Sequence, residues 1–393
     1  MKILSVNAGS SSLKFQMYEM PEEKVLISGM FERIGINDSF YTIKINGIKI
    51  AKKEVNLNNH DDAVAYLVKE LFNNKVIESV EEINGVGHRA VHGGAKYASS
   101  VVVDDKVIED LEELCSLAPL HNPANISGIR AFKKIIPNAV AVAVFDTAFH
   151  QTMEEYNYLY AVPYAWYTDY GVRKYGFHGT SHNYLNNRMD EILGNKENKI
   201  ITCHLGNGGS VSAIKNGKCI NTSMGFTPNA GILMGSRSGD IDSSLIPYVM
   251  EKTGKTIGEI SNDLNKNSGL LGISGLSTDH RDIEDGIEDG NDRCILTQKM
   301  YVKSIVDYVA RYYVELNGVD AICFSGGIGE NSSKVRKDIM DSLAVLGIKI
   351  DEQANNVRGK EALISLPDSS IACYVIPTDE EVMIARSTFD FAK

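Results

Sequence analysis

Apolar runs and, in places, apolar–polar alternation mark the first fifty positions as β-structure. Lys2–Val6 and Leu13–Tyr18 read as two strands around a turn at Asn7–Ser12, and Val25–Phe31 continues the series. Tyr41, Ile43 and Ile45 alternate ahead of Asn46-Gly47, a hairpin-turn pair followed by Ile48 and Ile50. From Asp61 the period lengthens, with Ala63, Tyr66, Leu67, Val68 and Leu71 on one helical face. Strands return at Ile83–Val91 and Val140–Phe145, with helices expected over 104–116 and 122–136.

The second half restarts the same way. Ile200–Leu205 is an apolar run, Gly206–Gly209 a turn, and Ser210–Lys215 a strand closed by Asn216-Gly217. SVNAGSSSLKF (5–15) and CHLGNGGSVSA (203–213) both read strand, small-polar turn, strand, with Ser12 against Ser210. The recurrence suggests a duplicated fold, although two unrelated hairpins would look the same. Helices are expected over 182–194, 254–265 and 295–316. The strand Ala321–Phe324 then enters a glycine-rich turn, Gly326–Asn331, with a helix over 333–346.

Composition narrows the class. At 393 residues the chain has room for two or three domains with sizeable cores. Its net charge of −11 argues against a nucleic-acid or anionic-membrane partner, which would need clustered positive charge. The longest apolar run, Ala139–Phe145, is far short of the ~20 residues that span a bilayer. The N-terminus turns polar at Asn7 and lacks a signal-peptide core. Six scattered cysteines without a C-x-x-C pair fit reduced thiols of a cytoplasmic protein.

Three small-residue turns, Asn7–Ser12, Gly206–Gly209 and Gly326–Asn331, each follow a strand. Such turns let backbone N–H groups converge on a phosphate. A Walker A loop fails, because Val249 stands where the first glycine should precede Gly254-Lys255-Thr256. A dinucleotide fingerprint at Gly327-x-Gly329 is a closer rival, but Ser332 replaces its third glycine. The acidic run 282–292 puts Ile287 where a calcium loop needs an oxygen ligand, so it reads as a solvated face or loop. His178-x₃-His182 has zinc-like spacing, yet Gly179 follows where the acid of an H-E-x-x-H helix belongs. Arg89, Arg237 and Arg281 sit among Gly, Ser and Asp, well placed to fork onto an oxyanion, although each singly is also explained by an ion pair.

In chain order SVNAGSSSLKF, GHRAVHGG, FDTAFH, YGFHGTSH, HLGNG, TSMGFTP, MGSRSGDID, TDHRDIE, SGGIGENS and PTDEE resemble the acetate kinase family from Lys2 to Thr388. The resemblance implies an α/β, duplicated actin/hexokinase/Hsp70-like (ribonuclease H-like) fold with two domains around a central cleft. It also implies a homodimer, and Mg²⁺-dependent (or Mn²⁺-dependent) phosphoryl transfer between ATP and a short carboxylic acid such as acetate. It divides the chain into residues 1–150 with 381–393, on the substrate and phosphate side, and residues 151–380, which bind the nucleotide.

By motif, Asn7 and Glu380 would hold the metal and Lys14 would contact ATP phosphate. Arg89 would bind the acid, and Asp146, His178 and Arg237 would join it as catalytic residues. Val91, Leu120, Phe177 and Pro228 would receive the methyl group. The nucleotide would meet His204, Leu205, Gly206, Asn207 and Gly208, then Asp279, His280 and Arg281, then Gly327, Ile328, Gly329, Glu330 and Asn331. A carboxylate is ionised at pH 7 and needs no general base, so Asp146 is expected to orient an arginine or metal-bound water.

Asn229-Ala230-Gly231 departs from the family's usual Leu-Glu-Gly after TSMGFTP, and Ser236, Ser243 and His280 also depart. Asn229 adjoins Pro228, which leaves acetate against propionate or butyrate open. A nucleotide-switch protein of the same fold is the more distant alternative.

Overall fold

The protein is described from a computed structural model, which covers residues 1–393 apart from positions 46 and 120, and the backbone alone at 50 and 51. The chain divides into two compact units, residues 1–149 with 379–393, and residues 150–378.

Unit 1 is built on strands β1 (Lys2–Gly9), β2 (Ser12–Glu19), β3 (Lys24–Glu32), β4 (Phe40–Ile45), β5 (Ile48–Glu54), β6 (Ile83–Ala90), β7 (Val101–Val102) and β8 (Val140–Phe145). Their order in the sheet is β5-β4-β3-β2-β1-β6-β8-β7. β1 to β5 form an antiparallel meander, while β6 and β8 run parallel to β1. The first turn is shorter than its composition suggests. Asn7 stays in β1, paired with Lys14, and only Ser10 and Ser11 lie outside the ladder. The Asn46-Gly47 turn includes a position outside the described residues, but its flanks pair as a hairpin, Ile45 opposite Ile48.

Helices α1 (His60–Asn73), α2 (Asp105–Glu113) and α3 (Asn122–Ile135) follow the apolar spacing, with 114–116 a separate 3₁₀ turn. Asn59 caps α1 by accepting from the Asp62 N–H at 3.0 Å. Ala63, Leu67 and Leu71 then pack into a core with Leu4, Val6, Phe15, Phe31 and Phe132. The C-terminal helix, Glu380–Ala392, packs on β6 and β8. Gly87 in β6 permits that approach, since a Cβ there would stand 2.1 Å from Thr388 Oγ1.

Unit 2 has β9 (Lys199–Leu205), β10 (Gly209–Lys215), β11 (Lys218–Thr222), β12 (Ala321–Ser325), β13 (Ala362–Leu363) and β14 (Ala372–Val375). The order is β11-β10-β9-β12-β14-β13, with β9, β12 and β14 parallel. β3-β2-β1-β6-β8 and β11-β10-β9-β12-β14 are therefore the same arrangement: three antiparallel strands, then two parallel to the first. The duplication hinted at by the two openings is present in the topology. Their pairing is not in the same register, however. Ser12 pairs with Gly9 at the turn, whereas Ser210 pairs with His204, one step beyond Leu205–Gly209.

Helices α4 (Glu155–Tyr158), α5 (Ala165–Tyr170), α6 (Gly179–Leu193), α7 (Leu245–Thr253), α8 (Ile257–Lys266), α9 (Gly269–Ser274), α10 (His280–Glu288), α11 (Asp292–Glu315), α12 (Gly326–Asn331) and α13 (Ser333–Ser342) complete unit 2. The helix expected over 254–265 begins later, because Gly254 is the left-handed cap of α7 and Thr256 opens α8 with a capping box. The acidic run is a solvated face rather than a loop over 280–288, which is helical with Ile283 and Gly286 inward and the acids mostly outward. Gly326–Asn331, expected as a turn, is also helical. Gly326 takes φ 77° beside the Leu205 carbonyl, a conformation open to glycine, and the chain then winds at once.

Candidate active site

Unit 1 gathers five of the expected residues through a chain of contacts. Arg89 near the end of β6 donates from Nε to Asp146 Oδ1 at 2.9 Å and from Nη2 to Oδ2 at 2.5 Å. Asp146 directly follows β8 and is fixed by its own N–H, which donates to the Ala90 carbonyl at 3.0 Å. Glu380 Oε2 lies 3.8 Å from Arg89 Nε. Lys14, opposite Asn7 across β1 and β2, is ion-paired with Glu381.

Burial opposes the Arg89 charge, yet Asp146 and Glu380 outweigh it and hold its pKa above the ordinary value. Glu380 is pushed up by burial, with Asp146 and Glu381 adding to the effect against Arg89. The site therefore carries more carboxylate than its two cations neutralise. Among the described residues no three His, Cys, Asp or Glu side chains are preassembled as a metal cage. Mg²⁺ does not ask for one, since it keeps waters and takes one or two carboxylates beside substrate phosphates. An under-compensated, half-buried carboxylate at Glu380 fits that ion.

Unit 2 brings an imidazole and a guanidinium to one turn of its own. His178 takes a left-handed backbone (φ 57°, ψ 22°) directly ahead of α6, and its Nδ1 lies 2.9 Å from Ser210 Oγ. Arg237 donates from Nη1 to the Pro228 carbonyl at 3.2 Å. Among the described residues no carboxylate pairs with Arg237, and burial lowers its pKa. The two side chains meet at the glycine turn: a Cβ on Gly208 would stand 3.3 Å from Arg237 Nη1 and 3.5 Å from His178 Nε2. The His178 and His204 rings lie 4.4 Å apart, and His204 Nδ1 bonds Ser181 Oγ at 2.8 Å.

Beside this turn lies a cavity of about 540 Å³, within the range of small-molecule sites. Eight expected residues line it: Gly206, Asn207, Asp279, His280, Arg281, Gly327, Ile328 and Asn331. Thr278, Glu284, Ser332 and Arg358 line it too and were not expected. For Arg358 a signal existed, an arginine followed directly by Gly359.

His204, Leu205, Gly208, Gly329 and Glu330 do not line the cavity. Leu205 is fully buried in the core. Glu330 Oε1 accepts from the N–H groups of Gly326 at 2.9 Å and Thr378 at 3.2 Å, so its carboxylate braces the start of α12. Arg281 is mostly exposed and paired with Asp279 at 2.5 Å. Val91 and Phe177 are buried, each within its own unit, while Leu120 lies outside the described residues.

A twice-used five-strand arrangement, the Arg237 guanidinium and His178 imidazole at a glycine turn and an adjoining cavity define the class: an α/β enzyme with the duplicated actin/hexokinase-like fold. The chain belongs to the acetokinase family, whose model matches residues 2–386. It is 54% identical over 387 residues to acetate kinase 2 of Listeria monocytogenes serotype 4b, covering 98% of this chain and 97% of that one. It is 53% identical over 394 residues to the acetate kinase of Bacillus subtilis, covering 100% of both. Among solved structures, acetate kinase from Porphyromonas gingivalis superposes with a TM-score of 0.95 at 46% identity over 100% of both chains. A propionate kinase from Francisella tularensis superposes at 0.94 with 41% identity over 99% of both. The protein is thus a kinase. No helix among the described residues is long and apolar enough to cross a membrane.

Proposed function

We propose that this kinase transfers the γ-phosphate of ATP directly to acetate, forming acetyl phosphate and ADP reversibly, with Mg²⁺ as metal. One observation carries the reading: Arg237, with no carboxylate partner among the described residues, beside His178 Nε2 at the Gly206–Gly208 turn. Two donors converging next to a nucleotide-sized cavity suit a phosphoryl group with charge on its oxygens.

An acetate oxygen forms the new bond to phosphorus as the bond to the bridging oxygen breaks, and that electron pair leaves on ADP. No proton has to be removed. Arg89 binds and aligns the acid's carboxylate with the N–H groups that Asp146 leaves available, and Asp146 acts as a positioning residue. Asn7 and Glu380 would hold Mg²⁺, whose chemistry is to neutralise phosphate charge. Lys14 contacts the phosphates, and the cavity walls take the nucleoside.

The test is ATP plus acetate with hydroxylamine present. Acetyl hydroxamate should accumulate with ADP, and ATP turnover without any acyl hydroxamate from acetate, propionate or butyrate refutes the reading. A propionate preference is the second reading. The likeness to a propionate kinase and Asn229 beside Pro228 favour examining it. A hydrophobic pocket discriminates one methylene by only ~1–3 kcal/mol, so kcat/KM for the two acids decides.

We also infer a homodimer. Tyr156, Tyr164, Trp166 and Tyr170 on or beside α4 and α5 stand exposed, an aromatic patch unusual for a lone surface. Sedimentation at micromolar concentration tests it. Six free thiols, five of them buried, suit the cytoplasm as the proposed location.

A further inference from the structure

The side of His178 away from Arg237 is tied to a line of buried hydroxyl and imidazole groups. Ser210 Oγ, 2.9 Å from His178 Nδ1, also lies 2.7 Å from His182 Nε2. His182 Nδ1 in turn lies 2.7 Å from Thr202 Oγ1. Thr202 on β9, Ser210 on β10 and His182 on α6 are all fully buried.

The direction of these bonds follows from counting protons. Among the described residues, Thr202 Oγ1 has His182 Nδ1 as its hydrogen-bond partner. A buried hydroxyl that only accepted there would strand its hydrogen, so Thr202 donates to Nδ1. A neutral imidazole has one N–H, which for His182 then lies on Nε2 and is donated to Ser210 Oγ. The Ser210 hydrogen is left to donate to His178 Nδ1. His178 therefore carries its own proton on Nε2, the nitrogen beside the Gly208 turn and Arg237. Burial, with the His150 and His204 imidazoles adding to it, holds the pKa of His182 well below its ordinary value and keeps it neutral.

We propose that Thr202, His182 and Ser210 form a relay that fixes His178 as the Nε2–H tautomer, and that Ser210 and His182 are positioning residues for phosphoryl transfer. The inference rests on the reading of His178 as a donor to the transferring group. The opposite tautomer would aim a lone pair at phosphate oxygens. The relay supplies a donor there at neutral pH without requiring an imidazolium.

The test is the tautomer of His178 in the full-length protein labelled with ¹⁵N-histidine, read from two-bond ¹H–¹⁵N spectra and assigned by its loss in His178→Gln. The expected wild-type signal is Nε2–H. Ser210→Ala should admit the Nδ1–H form and lower kcat on the order of 10-fold, with KM for ATP changed less than about threefold. Thr202→Val, which removes only the far donor, should move the tautomer in the same direction and serves if Ser210→Ala does not fold. A wild-type Nδ1–H signal, or no tautomer change in the folded variants, overturns the relay. A tautomer change with unaltered kcat upholds the relay and removes His178 from the transfer step, so the two readings fail separately.

Discussion

Arg89 and Asp146, 57 residues apart in the chain, meet through two hydrogen bonds at 2.9 and 2.5 Å, with the carboxylate almost fully buried. A guanidinium held this way cannot swing, and its orientation is set before any substrate arrives.

Asp146→Asn should therefore damage acid binding rather than a protonation step. Asparagine offers one acceptor and turns its amide hydrogens toward the guanidinium. The expected result is a fall in kcat/KM for acetate of roughly 10²-fold, with the shape of the pH–rate profile unchanged. An altered pH profile at near-normal kcat/KM would make Asp146 a proton acceptor instead.

Arg237→Ala should lower kcat by on the order of 10²–10³, the usual loss when one preorganised donor is removed from a developing oxyanion. Arg237→Lys should recover only part of it, since a point charge lacks the fork that spans Pro228 O and the turn. Steady-state kinetics settle this, and a loss below fivefold in the alanine variant removes Arg237 from the transition state.

Glu380→Gln should raise the Mg²⁺ concentration needed for half-maximal activity by about 10–100-fold, the scale seen when metal-site groups are altered. Chelation should abolish activity in the wild type and excess Mg²⁺ restore it. An unchanged metal requirement in the variant would remove Glu380 from the metal site.

Lys174 offers a pH prediction away from the site. Its Nζ donates to Asn221 Oδ1 at 2.7 Å, and burial, reinforced by Arg311, lowers its pKa to about 8. An unfolded lysine titrates near ~10.4, so between these values the unfolded chain binds more protons and stability rises with pH. Below about 8 the folded state carries the full cost of the half-buried charge. Lys174→Met should thus compare more favourably with wild type at pH 7 than at pH 10, by roughly 2 kcal/mol in denaturant unfolding. Equal differences at both pH values would refute the depressed pKa.

Much of this protein is written locally. Apolar runs and alternation place β2, β9 and β10 to within a residue at each end, because they depend only on which neighbours face the core, whereas β1 runs three residues past its expected end at Val6. The glycine turn at 206–208 and the clustering of arginines among small residues are equally local, and eight of the expected nucleotide residues do line one cavity. Local signals fail where conformation depends on what lies across the fold. Gly326–Asn331 winds into a helix because Gly326 passes the Leu205 backbone and Glu330 folds back onto its N–H, neither of which composition reveals.

The sequence by itself determined the strand and helix pattern, the duplicated openings and the residue types that can hold phosphate. Only the tertiary structure decided which charges meet and which are left over. Asp146 and Glu380 both reach Arg89, leaving Glu380 under-compensated, while Arg237 has no acid beside it among the described residues. Fully buried Arg336 is taken up by the carbonyls of Gly329, Asn355 and Val357, an arginine used for bracing that the same chemistry would otherwise nominate for a ligand. The physical reason is range. Periodicity and turn chemistry act over a few residues, but burial and charge compensation depend on groups tens to hundreds of positions away.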